Sequence, residues 1–112
     1  MLKMYVIETM FNAELTVLVG DFTKASEWGG SRGFAKDFTK LWDAEGCFLH
    51  KGETHVIWMP KWNPGVLVHE AIHFAIHVVR KNLRMKMLKE ADEAVAWITE
   101  DVFAKAIKKG RK

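Results

Sequence analysis

The chain has 112 residues, with 17 Lys and Arg against 14 Asp and Glu, 49% hydrophobic residues and two prolines. That composition excludes a disordered chain, a collagen-like repeat and a polyelectrolyte tail. The length predicts a single domain over residues 1–112 with one ordinary core.

Residues 3–9 and 14–20 are rich in Val, Ile, Tyr, Thr and Leu, and Phe11-Asn12-Ala13 between them can turn, which predicts an opening β-hairpin or two adjacent strands. Gly29, Gly30 and Gly33 with Ser26, Ser31 and Arg32 read as a flexible stretch; the spacing and the Lys-Ser/Thr ending of a phosphate-binding loop are absent. Phe34, Phe38, Leu41 and Trp42 are spaced as in a short amphipathic helix. Residues 46–60 predict a second hairpin turning at Lys51-Gly52-Glu53 and stopping at Pro60. Asn63-Pro64 is a helix start, because Asn can cap free N–H groups and Pro is already shaped for the first helical position. One helix is expected over residues 64–80. Another is expected over about 85–107, with the apolar row Leu88, Ala91, Val95, Ile98, Val102 and Ala106.

The helix from Val66 to Val79 is apolar on nearly every side, which predicts burial and makes its polar members, His69, Glu70, His73 and His77, the residues to explain. His69 and His73 lie about 40° apart on the helical wheel and one turn apart along the axis, so both imidazoles can reach one metal ion. Glu70, on the flank, is placed to polarise a water without ligating the metal. Catalytic zinc usually has three protein ligands, and the last helix offers Glu93, with Glu90, Glu100 and His77 as rivals. Zinc suits these ligand types; two histidines and a carboxylate also serve non-haem iron, whose usual His-x-Asp/Glu arrangement is absent.

The run His69-Glu70-Ala71-Ile72-His73 is HExxH, and with a glutamate on the next helix it resembles the gluzincin metallopeptidases. The spacing from His73 to Glu93 is like that of the thermolysin group. A short chain with a strand pair before the motif helix is similar to the minimal gluzincins, often encoded by phages and mobile elements. The longer pattern, with His77 and Glu93-Ala94-x-Ala96, is also similar to the ImmA/IrrE-type metallopeptidases, which cleave repressors. The resemblance covers about residues 46–104. Trp97 stands where thermolysin-like gluzincins have an Asp that orients a histidine, leaving Asp92 or Asp101 for that support. Ile72 stands where ImmA/IrrE proteins usually have Gly, and their Leu-Leu-x-Pro ending is missing.

The resemblance implies an α+β, zincin-like domain: a short N-terminal sheet of two hairpins and about three helices, the last two carrying the metal site. It implies Zn²⁺ held by His69, His73 and Glu93, Glu70 as general base, and a peptide or protein substrate. It further implies that the strand before the motif helix lies along the cleft and pairs with substrate, which assigns contacts to His55, Val56, Ile57 and Trp58. Tyr5, His55, Arg80 and Arg84 are candidates for stabilising the oxyanion. The alternative is a catalytically silent, metal-stabilised module of the same fold that binds and inhibits a host or regulatory protein.

Cys47 is the sole cysteine, which agrees with a reducing compartment. Glu8, Asn12 and Glu14 break the apolar start and no small-residue cleavage site follows, so a cytoplasmic protein with no membrane span is expected. Residues 80–112 hold 10 basic and 5 acidic side chains. Without a recognised nucleic-acid module, that surplus reads as helix-end complementation and a solvated face, against nucleic acid as a partner. Oligomeric state is not written in these features.

Overall fold

A computed structural model of the chain describes residues 2–9, 12–39, 41, 44–81 and 89–110, with residues 89–92 as backbone alone. Strands β1 (Leu2–Glu8) and β2 (Glu14–Gly20) form the first predicted hairpin, and β3 (Cys47–Lys51) and β4 (Thr54–Met59) form the second. Helices α1 (Phe22–Gly30) and α2 (Ala35–Phe38) separate the hairpins; α3 (Pro64–Lys81) and α4 (Lys89–Gly110) follow them. Trp42, the expected start of the last helix at Met85, Arg84 and the side chains of Glu90 and Asp92 lie outside the described residues.

β2 and β4 lie side by side and parallel, with Thr16 opposite Val56 and Val19 opposite Met59. The two hairpins thereby make one mixed sheet in the order β1-β2-β4-β3. The central pair is apolar on both faces, as strands covered on both sides must be. On one face Val17, Val19, Ile57 and Met59 pack with Leu67, Phe74 and Val78 of α3 and Ile98 and Val102 of α4. On the other, Leu18, Val56 and Trp58 pack with Ala25 of α1, Phe34 and Phe38. The indole of Trp58 donates to the carbonyl of Gly20 at 2.9 Å, satisfying its one polar atom inside that core.

Four helices are present among the described residues, one more than the sequence predicts. The stretch read as flexible contains most of α1. Asp21 caps this helix by accepting from the N–H of Thr23 at 3.0 Å, and Gly29 lies so close under the Phe38 ring that a Cβ there would collide with it. The glycine therefore marks a close approach of α1 to the segment after it.

α3 begins as expected: Asn63 Oδ1 accepts from the N–H of Gly65 at 3.0 Å and of Val66 at 3.3 Å. Its burial differs from the expectation. Leu67, Glu70, Ala71, Phe74, Ala75, Val78 and Val79 face inward, whereas His69, Ile72, His73 and Arg80 are exposed. A near-continuous apolar run gave no indication of which stripe the rest of the fold leaves uncovered. α4 packs through Ala94, Ile98, Val102 and Ala106, and its far end meets Trp62 at Gly110. No helix among the described residues is long and apolar enough to cross a membrane.

Candidate active site

α3 carries His69, Glu70 and His73 at the sheet's β3 side. The rings of His69 and His73 are 5.0 Å apart, centre to centre, and inclined at 72°, as the one-turn spacing requires. Glu70 is turned inward, with His69 Nε2 3.9 Å from its Oε2; the histidine side chain is 70% exposed and the glutamate 12%. The two imidazoles are thus open to solvent and the carboxylate beside them is sheltered. The desolvation argument for a ligand on His69 and His73 falls away, because neither is buried.

A cleft of about 540 Å³ runs between α3 and β3, lined by Gly46, Cys47 and His50 on the strand side and by Glu70, His73 and Arg80 on the helix side. Gly46 is needed where the strand begins, since a Cβ there would collide with Val66 Cγ1 of α3. β3 pairs only with β4, and so it is the edge strand beside the cleft. This corrects the expectation for β4, which is paired on both sides and has no free edge for a peptide. His55, Val56, Ile57 and Trp58 are buried, at 3% exposure or less, and act as core residues rather than substrate contacts. The wall available to an extended chain is β3.

As zinc donors, His69 and His73 fit two ligand positions: imidazoles on one helix face, a turn apart and accessible. Among the described residues, no group of three or more His, Cys, Asp or Glu is placed to hold a metal ion, so Glu93 is not gathered with the pair. Ala94 is the residue that faces α3, and Glu93, about 100° round the helix from it, lies exposed. Glu100, its described rival, is exposed as well. Of the residues considered for the oxyanion, Arg80 lines the cleft, Tyr5 packs edge-on against Trp62 at 6.5 Å, and His55 is in the core.

The remaining three histidines form a second group that the sequence reading did not assemble. His50 stands opposite His55 in the β3–β4 register, and the His50 ring stacks on His77 at 3.8 Å. His55 meets His77 at 5.3 Å, and Phe48 and Phe74 pack around them. His55 Nδ1 donates to the carbonyl of Glu14 at 3.1 Å, which sets its tautomer. Nε2 of His55 and of His77 are buried with no partner among the described residues. Burial is the largest cause holding the His55 pKa below the usual value and the His77 pKa down at about 4, the latter helped by neighbouring His50, His55 and Lys81. The observed two-residue turn at Gly52-Glu53 pairs His50 with His55, whereas a turn over Lys51-Gly52-Glu53 would pair His50 with Thr54. Cys47 is buried in the cleft wall, and burial pushes its thiol up to about 12, which makes it a poor nucleophile.

Comparison of the chain with protein-family models, with curated proteins and with solved structures finds no match.

Proposed function

We propose that this protein is a zinc-dependent metallopeptidase that cleaves peptides bound along β3. The observation carrying the reading is a juxtaposition: His69, Glu70 and His73 on one helix turn, with Glu70 and His73 lining a cleft whose other wall is an edge strand. An edge strand binds an extended peptide through main-chain hydrogen bonds and leaves alternate side chains to specify it. Glu70, sheltered and beside the two imidazoles, would take a proton from the attacking water and return it to the leaving amine. His69 and His73 would hold the zinc; the resemblance gives the third ligand as Glu93 of α4, which lies exposed and is not gathered with the pair. Bound there, zinc would act as a Lewis acid and lower the pKa of water towards neutrality.

The test combines zinc content with cleavage of an unfolded protein pool followed by mass spectrometry. One zinc per chain, lost in His73→Ala and Glu93→Ala, with cleavage lost in Glu70→Gln while zinc is kept, is the expected result. Cleavage that survives Glu70→Gln would overturn the mechanism. Zinc retained in Glu93→Ala would move the third ligand to another residue of α4.

A further inference from the structure

The cleft has two chemically different ends. β3 runs alongside α3 in the same direction, since Gly46 lies against Val66 and the His50 ring stacks on His77. Glu70 and His73 therefore occupy one end, and His50, His77 and Arg80 the other. Arg80 comes seven residues after His73, about 10 Å along the helix, which is the span of roughly three residues of extended chain.

Arg80 is exposed, and a guanidinium presents a planar fork of donors that matches a carboxylate. Beside it, the exposed His50 offers a ring N–H donor, with the His77 ring stacked behind it at 3.8 Å. Lys81 adds a second positive charge nearby, with its Nζ donating to the carbonyl of Gly52 at 2.6 Å. These two cations also offset the negative end of the α3 dipole, which would otherwise repel an anion. Glu53, on the β3–β4 turn, is the acidic group whose charge reaches this histidine group, acting on His55.

We propose that the Arg80 end of the cleft is a carboxylate subsite, so that the preferred substrate carries a carboxylate about three residues from the bond opposite His73. The inference rests on reading the cleft as a peptide groove. An acidic side chain and a free C-terminus supply the same chemistry, and the probes separate them. The probes are fluorescein-labelled hexapeptides of alternating Val and Thr carrying Glu or Gln as the third residue after the central bond, with the C-terminus free or amidated. Binding to the chain is read by anisotropy, and cleavage is followed separately by mass spectrometry.

The expected result is a five- to tenfold preference for Glu over Gln that falls to less than about twofold in Arg80→Gln and shrinks in His50→Ala. Preference for the free over the amidated C-terminus, lost in Arg80→Gln in the same way, would assign the subsite to a terminal carboxylate. A Glu preference unchanged by Arg80→Gln, equal binding of all four peptides, or no binding would overturn the proposal. A carboxylate preference without cleavage would leave this subsite standing and count against the peptidase reading alone; cleavage without preference would do the reverse.

Discussion

Two groups of histidines share α3 and meet opposite fates. His69 and His73 stand in solvent beside a sheltered glutamate, whereas His77, three-quarters of the way along the helix, is packed with His50 and His55 between Phe48 and Phe74. The difference follows from which stripe of α3 the sheet covers. An exposed imidazole can give its lone pair to a ligand at little cost, while a buried one is held neutral and binds its surroundings through packing. Substitutions at His69, Glu70 and His73 should therefore change chemistry and spare stability, and substitutions at His55 and His77 should do the reverse.

The largest expected effect is on chemistry. Glu70→Gln should lower cleavage about 100-fold or more, the usual weight of a general base, with the melting temperature little changed. Close behind it, Phe74→Ala removes a ring that is fully buried against Phe48 and His55 and should cost about 3–5 kcal/mol in urea unfolding. If both substitutions affected stability alike, the contrast between the two groups would be broken.

Acid sharpens the same contrast. His55 and His77 are held below their usual pKa in the fold and return towards about 6.5 when the chain unfolds. Between those values the unfolded chain binds more protons, so this contribution is intact above about pH 6.5 and is lost as pH falls towards about 4. Unfolding free energies from urea at about pH 7.5 and about pH 5 should differ by at least about 1 kcal/mol, and His77→Leu should flatten that slope. Imidazole resonances followed by NMR should show His77 titrating near pH 4.

Smaller effects belong to the periphery. Lys105 bridges α4 to β1 by donating to the Glu8 carbonyl at 2.7 Å and to Asp101 at 3.2 Å, and Lys105→Ala should cost about 0.5–1 kcal/mol. His69→Ala should move stability by less than about 0.5 kcal/mol, as exposed substitutions do.

Local signals made much of this fold legible. The two hairpins followed from alternation and turn residues, α3 from Asn63-Pro64, and the His69–His73 pair from helical spacing. What was not legible is contact between distant segments. The parallel join of β2 to β4 pairs Thr16 with Val56, 40 residues away, and has no local signature. That join makes β4 an interior strand and transfers the cleft edge to β3. In the same way, the row from Ala94 to Ala106 identifies the packed face of α4 but not where Glu93 falls relative to α3. α1 was missed because Gly29 and Gly30 looked flexible, although Asp21 offered a cap signal.

The most direct test of the division is zinc binding by wild type, His73→Ala and His77→Ala, measured by metal content and calorimetric titration. The account predicts one zinc in wild type, none in His73→Ala, and zinc retained by His77→Ala with a changed pH dependence of stability. Zinc kept by His73→Ala and lost from His77→Ala, or no zinc in a folded wild type, would contradict it.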